Sequence, residues 1–179
     1  MKIVIATPLY PPDIEPVAVY TKELARRLSK KHEVTIVAYS HIPELIPGVA
    51  IVCIEKNLPL MVRLWKFTRA LLDLSKHADI YFVENGSSVE LPVLFLRTAT
   101  RASIIMHLGD TAAHTWSKTK KVRGFIEQVS LMSAKRVISE SPLPKPEILP
   151  FEPPPTAALE TYEESWVKHM AELEKVFYE

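Results

Sequence analysis

The chain has 179 residues, 47% hydrophobic and 24% charged, with a formal net charge of +1. That length suits one domain, or one domain with a small appendage, and can bury a substantial core. The near-zero charge excludes a globally basic nucleic-acid binder, the lone Cys53 excludes a disulfide framework and points to a reducing compartment, and no run approaches the ~20 apolar residues of a membrane span.

Lys2–Ala6 is a short β-branched run and predicts the first strand. Thr7 and Pro8 cut its apolar stretch too short for a signal peptide. The corner runs from Thr7 to Pro16, and a helix is expected over Val17–Lys31. Its apolar stripe is Val17, Tyr20, Leu24 and Leu28, with Lys22, Arg26, Lys30 and Lys31 opposite. Such a corner normally receives a ligand where strand gives way to helix. A phosphate there wants glycines, because the backbone must come close to the anion. Glu15 and Pro16 stand there instead, one bringing negative charge and the other lacking an N–H.

Glu33–Tyr39 reads as the second strand and Gly48–Ile54 as the third. The third is nearly all apolar, which predicts burial on both faces, with Cys53 as a core residue. Pro59 opens a second helix that runs to about His77. That helix mixes Leu60, Met61, Leu64 and Phe67 with Arg63, Trp65, Lys66 and Arg69. One reading is a core helix; the other is a helix lying on an anionic membrane, with Arg63, Trp65, Lys66 and Arg69 facing it. Asp79–Val83 is the fourth strand, Glu84–Ser88 a turn ending in helix caps, and a short apolar helix follows to about Ala99. Ala102–His107 is the fifth strand, Leu108–Ser117 a loop, Thr119–Ala134 a helix, and Arg136–Ser139 the sixth strand.

Seven prolines between Pro142 and Pro155 predict an extended, semi-rigid linker over residues 142–158. Thr161 and Glu164 match a capping box and open a last helix within residues 159–179. Its stripe of Trp166, Met170, Leu173 and Phe177 needs a surface to bury it, and the core of residues 1–141 is the partner inside the chain.

Strands alternating with helices predict an α/β fold, a Rossmann-like parallel sheet with helices on both faces. Functional residues then belong at the carboxyl ends of strands, at Thr7–Glu15, Glu84–Ser88, His107–Trp116 and Ser139–Ser141. His107 and Asp110 are the candidates for chemistry, and Gly109 between them permits a tight turn. Tyr10, Glu15, Asn85, Gly86, Ser87, His114 and Trp116 are the candidate cleft residues. His107, Asp110 and His114 are too loosely spaced for a metal site, so no metal is expected. No Gly-x-Ser-x-Gly elbow supports a serine hydrolase. Lys118, Lys120, Lys121 and Arg123 crowd a helix start, where cations oppose the dipole. They read either as solvated surface or as contacts to phosphate of an acceptor or lipid.

The opening Met1–Pro12 resembles the start of glycosyltransferase family four, whose members are GT-B enzymes with two Rossmann-like domains facing a cleft. Thr21–Leu28 followed by His32–Val37, Asp79–Tyr81 leading to Asn85–Gly86, His107–Asp110 and the tail Ser165–Glu174 are similar to that family's motifs, in the same order. The resemblance implies one GT-B-type N-terminal domain with the closing C-terminal helix attached. It implies an acceptor-recognising role for this half, and a contact from His107 to a donor sugar. Two features depart from the pattern: the family's Gly-Gly pair near Glu15–Pro16 is missing, and a proline-rich segment stands where the donor-binding domain would lie.

The expectation is therefore the acceptor-binding half of a retaining, nucleotide-sugar-dependent hexosyltransferase, inactive alone or completed by a separate donor-binding subunit. The alternatives are a non-catalytic scaffold module and a minimal free-standing glycosyltransferase. No cofactor of its own and no nucleic-acid partner are expected. Expected partners are a donor-domain protein, a sugar or lipid-linked acceptor, an anionic membrane surface and a second copy in a homodimer. The expected location is cytoplasmic, with membrane association as the alternative.

Overall fold

The computed structural model of the chain describes residues 1–109, 121–139, 149–150 and 159–178. In chain order the elements are β1 (Lys2–Thr7), α1 (Pro16–Leu28), β2 (Glu33–Tyr39), β3 (Val49–Ile54), α2 (Leu60–Leu74), β4 (Ile80–Glu84), α3 (Ser87–Ala99), β5 (Ile104–Leu108), α4 (Lys121–Ser133), β6 (Arg136–Ser139), β7 (Leu149–Pro150) and α5 (Leu159–Tyr178). The strands form one sheet in the order β3-β2-β1-β4-β5-β6-β7, every neighbouring pair parallel. Six strands carry it, and β7 adds two residues at one edge. This is a Rossmann-like α/β sheet with helices on both faces.

The apolar runs explain the centre. β1 and β4 sit in the middle and are buried on both faces from Ile3 to Ala6 and from Ile80 to Glu84. Successive side chains alternate between faces, and two cores result. On one face Ile3, Ile5, Ile36, Phe82 and Ile105 pack against Leu24, Ala25 and Leu28 of α1 and Trp166, Leu173 and Phe177 of α5. On the other, Val4, Val37, Tyr81, Val83 and Met106 meet Phe67 and Leu71 of α2, Val89, Val93 and Leu96 of α3, and Leu131 of α4. α3 lies between α2 and α4 in that second layer.

Three expectations need correction. β3 is not a strand buried on both faces: it ends the sheet, and only Ile54 is fully buried. Its apolar residues pair with β2 on one side only. The strand–helix alternation also fails between β2 and β3, which are joined by residues 40–48 with no helix. Finally, Glu84 belongs to β4 rather than to a turn, because the ladder to β5 continues through the Glu84–His107 pair.

The loops after β1, β2 and β3 brace one another. The Tyr10 hydroxyl donates to the Glu44 carbonyl at 2.9 Å, and the Glu44 N–H donates to the Pro11 carbonyl at 3.3 Å. Lys22 pairs with Glu44, and Lys56 with Asp13. Tyr10 is thus a core residue rather than a cleft residue, and burial, with the charge of Glu44, pushes its phenol up to about 12.

Candidate functional site

In this strand order the direction of winding reverses between β1 and β4, and the crevice beyond their carboxyl ends is the natural ligand position. The β1–α1 loop supplies one wall, and Asn85 with Gly86 supplies the other. Here the walls touch. A Cβ added to Gly86 would lie 3.0 Å from Pro8 Cγ, so a larger residue would press on the Pro8 ring.

Both helices that begin at the crevice meet carboxylates of this chain. α1 has Glu15 as its N-cap and Pro16 at its first turn; the Glu15 carbonyl accepts from Ala18 and Val19, while its exposed side chain makes no cap bond. α3 has Gly86 at its N-cap, and the Gly86 N–H donates at 3.2 Å to the buried Glu90 carboxylate in the first turn. The Glu90 carboxylate already lies against the positive end of the α3 dipole. A bound phosphate would face that charge and, at α1, a missing N–H.

The buried chemistry lies one strand further on. Glu84 and His107 are register partners on β4 and β5. Alternation from Ile80 through Phe82, and from Ile105, turns both side chains to the α1/α5 face. His107 Nδ1 lies 3.0 Å from both carboxylate oxygens of Glu84, and the histidine is 1% exposed. The carboxylate, equidistant through its two oxygens from Nδ1, fixes the ring's orientation. Gly109 closes over the pair: a Cβ there would fall 2.8 Å from His107 Cε1.

Aromatic rings cover the pair on the α1/α5 side. The Tyr20 ring lies 5.1 Å from the His107 ring and stacks on Trp166 of α5 at 5.6 Å. Phe82 flanks His107 at 5.6 Å. The Tyr20 hydroxyl and His169 Nε2 share a 2.9 Å hydrogen bond, and the His169 ring meets Trp166 edge-on. Arg27 lies over the Trp166 ring, 5.0 Å from its centre, and pairs with Glu23 and Glu163. The C-terminal helix therefore contributes to the enclosure of His107. A histidine whose ring faces an open crevice is not what the structure shows.

Of the remaining candidates, Asn85 and Gly86 are buried at the crevice and Glu15 is exposed at its rim. Trp65, Lys66 and Arg69 are exposed on α2, whereas Arg63 turns inward over the Tyr39 ring at 5.8 Å, its Nε buried. Asp110, His114, Trp116, Lys118 and Lys120 lie outside the described residues, as do the side chains of Ser87, Lys121 and Arg123. Most of the proline-rich segment falls there too. Among the described residues no group of three or more His, Cys, Asp or Glu could hold a metal, and no helix is long and apolar enough to cross a membrane.

Sequence reasoning missed Glu84 and Tyr20 as neighbours of His107, and His169 as the partner of Tyr20. The signal for Glu84 was present: the period-two pattern of Ile80 and Phe82, carried one step further, reaches it. His169 follows Trp166 by three residues, which places both on one helix face.

Comparison with models of known protein families gives no match, and neither does comparison with curated proteins. Among solved structures, the chain is similar to an α-glucosyltransferase in complex with UDP and a 13-mer DNA, at 17% identity and a TM-score of 0.50, covering 86% of this chain and 40% of that one. It is also similar to the C-terminal domain of the coenzyme A biosynthesis bifunctional protein CoaBC, at 14% identity and a TM-score of 0.40, covering 69% of each chain. A third is the DNA/pantothenate metabolism flavoprotein from Streptococcus pneumoniae, at 13% identity and a TM-score of 0.38, covering 78% of this chain and 80% of that one. The chain spans less than half the length of the glucosyltransferase it matches. At these identities the likeness is one of fold, and what it establishes is a Rossmann-like α/β domain.

Proposed function

We propose that this chain is the acceptor-side half of a glycosyltransferase-type enzyme, completed by a separate polypeptide that binds the nucleotide sugar. The observation that carries this reading is the state of the crevice: Pro8 rests on Gly86, and Glu15 and Glu90 stand at the two helix starts. A sugar nucleotide's diphosphate needs N–H groups and positive charge at such a place, and retaining transfer needs its leaving group stabilised. This half supplies the opposite. The motif order along the chain and the likeness to a UDP-bound α-glucosyltransferase support the transferase ancestry. Isothermal titration of the purified chain with UDP- and GDP-sugars is expected to give no heat of binding. Clear micromolar binding would overturn the reading.

A second reading, a non-catalytic module, draws on the burial of His107 behind Tyr20 and Trp166. The two separate on one comparison. In a complex with a donor-binding polypeptide, His107→Gln abolishes sugar transfer if the chain is half an enzyme. If it is a scaffold, transfer is absent with either residue, and the complex forms with both.

A further inference from the structure

Among the described residues, a groove of about 320 Å³ opens between the end of α1 and the outer side of α5, within the size range of small-ligand sites. It lies at the amino ends of the strands. α1 starts at the crevice and ends at Leu28, and β2 begins at Glu33, directly after the groove's own His32. The 13 residues of α1 put about 20 Å between this groove and the crevice.

The floor of the groove is aliphatic. Val167, Met170 and Ala171 share one strip of α5, at spacings of three and four, and Leu28 of α1 meets them. The neighbouring strip of α5, with Trp166 and Leu173, is buried on the domain. The Val167 strip is open instead: Val167 is 66% exposed, Ala171 is exposed and Met170 half-buried. No phenyl or indole ring lines it.

The rim is basic. Arg27 is held by Glu23 and Glu163, and Lys31 by Glu174, the carboxylate of the groove, at 2.8 Å. Lys30 is exposed and pairs with no carboxylate among the described residues. His32 stands in the same wall with both ring nitrogens out of reach of water and without a hydrogen-bond partner. A buried polar group in that state costs free energy until a partner arrives. Burial, with the amino terminus and Lys31 on its side and Glu174 against it, holds the His32 imidazole below its ordinary value of 6.5. The ring is therefore neutral at neutral pH, with one nitrogen to donate and one to accept.

One uncommitted ammonium calls for one negative charge, and a floor without aromatic rings calls for a saturated chain. We propose that the groove binds an aliphatic monocarboxylate, its chain along Leu28, Val167, Met170 and Ala171 and its carboxylate between Lys30 and His32, whose ring turns to donate an N–H to it. The occupant bridges α1 and α5 and so ties α5, with Trp166, more firmly to the domain. The site does not rest on the transferase reading.

The test is calorimetric titration of the full chain with octanoate, with octylammonium and with inorganic phosphate. Octanoate is expected to bind and to raise the melting temperature. The other two are expected to give no saturable heat. Ala171→Phe fills the groove from an exposed position; it is expected to abolish octanoate binding and to keep the parent's ligand-free melt. Lys30→Gln is expected to weaken binding about threefold, as loss of an exposed charge contact does. His32→Leu is expected to weaken it roughly tenfold without lowering the ligand-free melt, because an unpaired buried group is removed. Octylammonium or phosphate binding as tightly as octanoate overturns the proposal. So does octanoate binding that survives Ala171→Phe, and so does a folded parent chain that binds no octanoate.

Discussion

Trp166 and Trp65 belong to helices on opposite faces of the same sheet, and their surroundings could hardly differ more. Trp166 is 2% exposed, in contact with the Tyr20 ring and the Arg27 guanidinium. Trp65 stands on the outside of α2, with Arg69 laid over it. One indole closes the protein on itself; the other is offered outward. The difference teaches that hydrophobic content alone does not tell how much of a helix's apolar surface is buried. What separates them is the company of the stripe. In α5 the stripe is matched to the Tyr20 ring and the Arg27 guanidinium on α1. In α2 half of the large apolar side chains have no counterpart.

The largest break in this comparison comes from Trp166→Ala. It removes a buried indole and exposes Tyr20 and His107, and about 3–5 kcal/mol of unfolding free energy is expected to go with it, read by urea denaturation. Next is Glu84→Ala, which takes from His107 Nδ1 its Glu84 hydrogen-bond partner in a buried site. A loss of about 3 kcal/mol is expected by the same measurement. Trp65→Ala should change stability by no more than about 0.5 kcal/mol, since the side chain is mostly in water already. A large loss there would mean that the Trp65 side chain is packed rather than exposed.

The smallest effect concerns pH. Burial pushes the Glu23 carboxyl up, but hydrogen bonds from Arg26 and Arg27 outweigh it and hold the group below its ordinary value of 4.5. A carboxyl lowered in the folded state contributes stability that is present above that value and is lost as pH falls through the folded one. Glu23→Gln is therefore expected to flatten the acid limb of the stability profile below pH 4.5, measured by thermal melts across a buffer series. A limb that keeps its slope would remove Glu23 from the account of the ion-paired face.

Much of the architecture was legible in the residues. β-branched runs at Lys2–Ala6 and Asp79–Val83 located two central strands to within a residue, and the Trp166–Phe177 stripe located the last helix. Strand order was not legible, because pairing partners are set by tertiary packing rather than by local pattern. That is why β3, apolar from Val49 to Ile54, read as an inner strand and lies at the edge. The candidate site was legible in outline only. His107 at a strand end pointed to the carboxyl edge, and Glu15–Pro16 showed that a phosphate would not be welcome. Tyr10 was misplaced because its partner, the Glu44 carbonyl, comes from a loop far along the chain.

The two edges of the sheet end differently, and this bears on how the chain behaves in a crowded solution. At one edge β7 is two residues long, and one of them, Pro150, has no N–H to offer another strand. At the other, β3 presents six residues, Val49–Ile54, with no proline or charge among them and with β2 as their described ladder partner. Apolar edges without proline or charge can accept a further strand from another chain. Self-association by strand addition, and the fibrous precipitates it leads to, would start at Val49–Ile54, and one lysine in the middle of that segment would be the simplest way to keep the protein in solution.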